Sequence, residues 1–442
     1  MADFKDMSMC DLGRGIGAGD IDPRDLAADF LDRAAAHPLS PRIYARMMTD
    51  RALAEAEAAA MRAQNGVRRG LLDGVPVSWK DLFDTADVAT EAGTALLKDR
   101  IPARDSEMVR RGAQAGLVAL GKTHMSELAF SGLGLNPITA TPPCINDMEA
   151  VSGGSSSGAA ASVAFGLAPG AIGSDTGGSV RIPSAWNDLV GLKTTAGRLS
   201  VEGVVPLAAA FDTVGPLVKT VEDAAALFAI LDGTSASDLK GASLKGKRFL
   251  ILDSVVFDDI RDAPLAGFDA AVAKFKDAGV EIHRAPVPAV EAAMDLSGIL
   301  FTVEAYAEWR EYIEADPDVM FPRILERFRA GGTFSGVDFV AGWKKLAHLR
   351  AQYLKATAGY DAVILPTAPI LPPHAERLMT DAEYYVTENL LALRNTRVGN
   401  LMGLAALTLP TGVPSCGIIL QTPPNTEARL LRLGAAAEAA LA

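Results

Sequence analysis

Residues 153–200 read GGSSSGAAASVAFGLAPGAIGSDTGGSVRIPSAWNDLVGLKTTAGRLS, and how this stretch is read decides the fold. Glycine, serine, alanine and threonine dominate it, with two clusters, SGGSSSG (152–158) and SDTGGS (174–179). Composition alone would make it a flexible linker. The segments between the clusters argue otherwise. AAASVAFG (159–166) reads as a helix and PGAIGSD (169–175) as a turn into a strand. Apolar helix and strand interleaved with glycines belong to a packed core.

The same alternation extends outward. Upstream, LLDGVPVSWKDLFDT (71–85) carries Val75, Val77 and Trp79 at strand spacing, so a strand is expected from near Gly74 to Lys80. SEMVRRGAQA (106–115) reads as a helix capped by Ser106 and ended by Gly116, with LVAL after it as a short buried strand. Asp22-Pro23 is a helix start, and the Ala- and Glu-rich residues 51–64 form another helix that stops at Gly66. Downstream, residues 246–290 read strand, helix, strand, and 290–357 are mostly helical. DAVILPTAPI (361–370) is an apolar strand stopped by prolines, NLMGLAALTLPTG (400–412) is compact and apolar, and 426–441 is an Ala/Leu-rich helix. Strands and helices alternating throughout give the α/β class. Without an internal repeat or a clean linker, residues 1–442 are expected to form one large domain.

Composition narrows the function. The 442 residues are 49% hydrophobic and 22% charged, which excludes wholesale disorder. The net charge is −12 and no basic stripe stands out, which argues against nucleic acid or an anionic membrane as partner. Cys10, Cys144 and Cys416 are too few and too scattered for a disulfide framework or a zinc site. MADFKDMSMCDLGRG has no apolar segment of the kind a secretory signal needs, and no run of 18 apolar residues occurs. The expectation is a cytoplasmic protein.

Two familiar motifs fit the letters but not their surroundings. Gly116-Leu-Val-Ala-Leu-Gly121-Lys122-Thr123 has phosphate-loop spacing, yet a helix precedes it and LVAL is a strand. Gly154-Ser155-Ser156-Ser157-Gly158 has the spacing of a nucleophile elbow, but CINDMEAVSG before it is a poor strand. The later histidines, His283, His348 and His374, sit in no recognisable signature, and His124, in GKTHMSEL, reads as a polar contact. No histidine pair has metal spacing. What remains is serine-rich loops and one lysine, Lys80, at the end of an apolar strand. A strand-end lysine reaching solvent is the plain reading. A desolvated one would have a lowered pKa and could act as a base.

At this point the quoted stretch resembles the central signature of the amidase signature family. GVPVSWKDLFDT resembles that family's lysine strand, GLVALGKTHMSELAF its next strand and loop, and VILPTAP with NLMGLAALTLPTG its C-terminal segments. Lys80 precedes Ser155 by 75 residues, and Ser155 precedes Ser179 by 24, separations usual for the family's Lys–Ser–Ser triad. The resemblance covers most of the chain, with a core at about 74–215 and 290–390 as its weakest part.

The resemblance implies a single α/β/α domain, a central mixed sheet covered by helices. It implies Ser179 as nucleophile, Ser155 as bridging serine after a cis peptide from Gly154, and Lys80 as base. The backbone amides of Thr176, Gly177, Gly178 and Ser179 would form the oxyanion hole, where glycines leave room for substrate. It implies a small-molecule amide as ligand and no metal or organic cofactor, with a homodimer left open. The family often has Phe-Cys-Gly where this chain has Trp186-Asn187-Asp188, so packing behind the nucleophile would differ. An alternative is the glutaminase subunit of a tRNA-dependent amidotransferase, a branch that carries an acid seven residues before its NL-x-G-L segment. That position is Leu393 here. Arg397, in NTRVGN, is a candidate substrate contact able to hold a carboxylate, or else a structural arginine paired with a carboxylate or loop carbonyls. Residues 290–390 are expected to shape the acyl pocket.

Overall fold

Local chemistry sets the element boundaries in the computed structural model, which describes residues 4–442. The helix Pro23–Ala36 begins where the Asp22 carboxylate accepts from the Arg24 amide, with proline in the first turn. The helix Glu107–Ala115 is capped by Ser106 Oγ, which accepts from the Val109 amide, and closes on Gly116 in the left-handed conformation.

Thirteen strands are described: β1 (Tyr44–Met47), β2 (Pro76–Lys80), β3 (Val118–Thr123), β4 (Pro143–Cys144), β5 (Asp147–Val151), β6 (Gly170–Ser174), β7 (Val190–Lys193), β8 (Val214–Val218), β9 (Arg248–Leu252), β10 (Glu281–Ala285), β11 (Ala362–Pro366), β12 (Ala405–Pro410) and β13 (Gly417–Thr422). Eleven form one mixed sheet in the order β1-β3-β2-β6-β8-β7-β12-β13-β11-β9-β10, and β4 and β5 make a separate hairpin. β3, β2 and β6 run parallel, as do β11, β9 and β10; the strands between them are antiparallel. Helices pack on this sheet, among them Ser157–Ala164 against β2, β3, β6 and β8, and Glu427–Leu441 against β12 and β13.

The helix at 157–164 and strand at 170–174 lie where the sequence places them. Gly121, Lys122 and Thr123 are strand residues of β3, paired with Ser78, Trp79 and Lys80 of β2, so no phosphate-cradling loop forms there. One reading needs correction. Asp147–Val151, judged a poor strand, is a strand, because pairing with Pro143–Cys144 in a short hairpin stabilises it from outside the main sheet. Apart from β11, the segment 288–401 is mostly helical, with Pro288–Met294, Ser297–Ala315, Pro322–Arg329, Gly336–Thr357, Ala375–Thr380 and Ala382–Leu401.

This topology fixes the site. β2 and β6 are parallel neighbours, so Lys80 and Ser174 emerge at the same end of adjacent strands, the carboxyl end at which open α/β sheets bind ligands.

Candidate active site

Lys80 ends a strand whose five residues are all buried, and alternation sends Trp79 and Lys80 to opposite faces. Trp79 packs edge-on against Phe83. Lys80 Nζ donates to Ser155 Oγ and Ser174 Oγ, both at 2.7 Å. The lysine is 0% exposed, and burial pushes its pKa down to about 7, against the opposing pull of Asp175 and Asp212. A lysine at that value is part neutral at physiological pH. Ser174 was not anticipated by sequence; its only signal was its place in the second Gly-Ser cluster.

Ser155 sits in a loop stitched to two neighbours. The Gly154–Ser155 peptide is cis. Gly154 N donates to Gly132 O at 2.8 Å, Ser126 N to Ser155 O at 3.1 Å, and Ser156 N to Ser179 O at 3.2 Å. A Cβ on Gly154 would come within 2.5 Å of Gly134 N, so only glycine fits. Ser156 is buried, and its hydroxyl donates to Ser174 O at 3.2 Å, a packing role. Ser155 and Ser179 share this backbone stitch; among the described residues no direct hydrogen bond joins their hydroxyls.

Ser179 follows β6 in a loop wound around the carboxylate of Asp175. Gly178 N donates to Asp175 Oδ1 at 2.8 Å and Val180 N to Oδ2 at 3.2 Å. Arg181 gives Nε and Nη2, each at 2.9 Å, and Asn400 Nδ2 adds a bond at 2.9 Å. Arg181 beside it holds the buried Asp175 carboxyl well below the usual range. The Gly178 amide is taken by Asp175, whereas those of Thr176, Gly177 and Ser179 make no hydrogen bond within the described chain. Thr176 Oγ1 donates to the buried Asp212 carboxylate, which pins the loop on its other side.

Ser179, Thr176 and Gly177 open onto a cavity with about 300 Å³ of unfilled space. Phe130, Leu207, Phe301 and Leu393 give it apolar walls, and Arg327 and Arg397 complete it. Arg397, on the helix Ala382–Leu401, is 9% exposed and forms no hydrogen bond or ion pair among the described residues, so the expected alternative of a paired structural arginine is not what the structure builds. Burial, and then Arg327, push its pKa down to about 9. Arg327 Nη1 donates to Phe130 O at 2.8 Å, and its guanidinium lies 4.3 Å from the Phe130 ring centre. Sequence reasoning missed Arg327; in PRILERFR it reads as one more surface arginine of an amphipathic helix.

No histidine lines this cavity. Burial lowers His124 to about 4, and His283, His348 and His374 are engaged with Glu281, Gln352 and Asp147. Lys122 of the apparent phosphate motif is buried against Asp81 at 3.3 Å and Thr90 Oγ1 at 2.8 Å. Among the described residues no helix is long and apolar enough to cross a membrane.

Comparison with known proteins adds a second line. The Amidase family model matches residues 25–431. The chain is 36% identical to 2-amino-5-chloromuconic acid deaminase of Comamonas testosteroni, over 93% of this chain and 92% of that protein. It is 30% identical to a glutamyl-tRNA(Gln) amidotransferase subunit from Anaeromyxobacter sp. (strain K), over 98% and 96%. A crystal structure of an amidase superposes with a TM-score of 0.89 at 29% identity, covering 99% of this chain and all of that one. Peptide amidase from Stenotrophomonas maltophilia superposes with a TM-score of 0.82 at 25% identity, over 99% and 97%.

Proposed function

This chain belongs to the Amidase family and is an amidohydrolase of carbon–nitrogen bonds, and from that premise we propose that Ser179 is its nucleophile, with Lys80 and Ser155 as its proton relay. The observation that carries this reading is the 2.7 Å contact of a fully buried, part-neutral Lys80 with Ser155, beside Ser179 on the cavity wall. Neutral Lys80 offers its lone pair to the Ser155 hydroxyl, and Ser155 takes the proton of Ser179 as Ser179 Oγ bonds to the substrate carbonyl carbon. The amides of Thr176, Gly177 and Ser179 stabilise the oxyanion. The C–N bond then breaks, the leaving amine receives the proton back along the relay, and water attacks the acyl-enzyme by the same route. Arg397 is assigned as a substrate contact.

We place the enzyme in the cytoplasm, an assignment supported by three buried, unpaired cysteines and a net charge of −12. A homodimer is compatible with this activity, since every group named comes from one chain. The second reading, a glutaminase subunit, draws on the 30% identity to the amidotransferase subunit. Leu393 counts against it, because the position expected to hold an acid presents an apolar side chain to the cavity.

The test is turnover on a panel of small amides, ureas and aryl amides, with fluorophosphonate labelling mapped by mass spectrometry. Hydrolysis with the label on Ser179 is expected. Activity only on glutamine, and only with co-purifying partner proteins, would select the second reading.

A further inference from the structure

Resting on the amidohydrolase reading, we propose that the acyl half of the substrate ends in a carboxylate seated between Arg327 and Arg397, so that the substrates are half-amides of short dicarboxylic acids. Arg327 stands on the helix Pro322–Arg329 and Arg397 on Ala382–Leu401, yet both line the one cavity that also holds Ser179. Neither is paired with a carboxylate among the described residues. Arg327 spends one N–H on the Phe130 carbonyl, and Arg397 spends none. The fully buried Arg181, by contrast, is matched by Asp175 at 2.9 Å. Two cations without a carboxylate partner, lining one pocket and partly desolvated, repel each other, and a bound anion offsets both terms. The planar fork of arginine favours a carboxylate held by two points.

The rest of the cavity fits the same ligand. Its walls are largely apolar, and the unfilled space beside Ser179 is small, which suits a short acyl chain. With the carboxylate on the arginines, the scissile carbonyl at the other end of that chain meets Ser179. Ser179 Oγ bonds to the acyl carbon, the C–N bond breaks, and the amine departs with the returned proton. Water then releases the dicarboxylate, which fits the same seat as the substrate's acyl half.

The experiment compares kcat/KM for succinamate and glutaramate with that for butyramide and succinamide. The half-amides are expected to be preferred by about a hundredfold. Arg327→Gln and Arg397→Gln should each cut that preference at least about tenfold, and Arg→Lys at either position should restore part of it. Equal kcat/KM on both amide types, or a preference that survives both substitutions, would overturn the proposal. Because Arg327 also packs on Phe130, a second measurement covers a variant that fails to fold. Succinate should raise the melting temperature of full-length Ser179→Ala protein, while butyrate and inorganic phosphate should not. A phosphate shift equal to that of succinate would show a general oxyanion site and sink the carboxylate assignment. Succinate binding without turnover of any amide would instead defeat the amidohydrolase reading and leave the seat standing; turnover of neutral amides without succinate binding would do the reverse.

Discussion

The stretch from β2 to β8 and the mostly helical stretch 288–401 meet at one cavity and are built in opposite ways. The first fixes its groups through backbone. Lys80 and Ser174 sit at the ends of paired strands, and the loops carrying Ser155 and Ser179 are tied to each other and to Asp175 by amide hydrogen bonds. The second contributes long side chains from helices, and its two cavity arginines are held by little but packing and the Phe130 contact. Rigid placement suits bond-making steps, in which small displacements of reacting atoms are costly. Side chains on helices can be exchanged without disturbing the sheet. On the reading proposed above, chemistry and selectivity fall to separate parts of the chain.

The strongest challenge to that division is Ser179→Ala, which should lower kcat by about ten-thousandfold or more with an unchanged melting temperature. A fluorophosphonate adduct on Ser156 in the wild-type protein would relocate the nucleophile.

Two buried lysines sharpen the comparison next. Burial lowers Lys80 and Lys193 alike to about 7. Lys80 meets hydroxyls, which can give or take a proton; Lys193 Nζ donates to the carbonyls of Thr194 and Leu404, each at 2.8 Å, which can only accept. The base must be neutral, so kcat/KM should rise with pH through about 7 and then stay level. Lys80→Met should abolish that limb and most activity. Lys193→Met should keep the limb and cost about 1–3 kcal/mol of stability by orphaning two carbonyls. Loss of the limb in Lys193→Met alone would exchange their roles.

Asp175→Asn should cost about 3–5 kcal/mol, because it leaves Arg181 buried without its counter-charge. The folded-state carboxyl titrates below its ordinary value of 3.8, so its stabilisation is present above that pH and is lost as pH falls further. Urea denaturation at pH 7 and pH 3 should show the variant losing less on acidification than the wild type.

The smallest effect belongs to Glu127, the joint between the two stretches. It accepts from Thr94 Oγ1 at 2.8 Å and from the Phe321 amide at 2.9 Å, and burial raises its pKa from 4.5 to about 7. The folded state favours the protonated acid, so stability should fall by about 1–3 kcal/mol as pH rises from 4.5 through 7 and level off beyond. Glu127→Gln should flatten this profile. An unchanged slope would place the titration elsewhere.

The sequence carried the sheet-borne half further than the helical half. Helix and strand between the serine clusters, the strand ending at Lys80 and the apolar run before Pro366 were readable because they are periodic and bounded by glycine or proline. β7 and β8 were not. VGLK is short, and VGPLV holds a glycine and a proline that count against a central strand. Packing explains them, since a Cβ on Gly215 would lie 1.9 Å from Leu192 O. Arg327 was illegible for a different reason, because its convergence with Arg397 exists only once two helices far apart in sequence have docked. The bond from the Gly178 amide to Asp175 was likewise illegible, because nothing in the letters shows which amide that carboxylate will claim.

The sheet order also governs how a nascent chain can acquire activity. β7 pairs on its far side with β12, which leaves the ribosome more than two hundred residues later. Until then the strand beside the nucleophile's half has one open edge, a template for pairing with other chains. Arg397 is synthesised just before β12, on the helix that supplies Asn400 to Asp175. A polypeptide released early would therefore hold every proposed catalytic residue and lack both the strand that seals the sheet and the anchor of the nucleophile loop. Such fragments would be inert and prone to aggregate, so catalytic competence is deferred until β12 has been made.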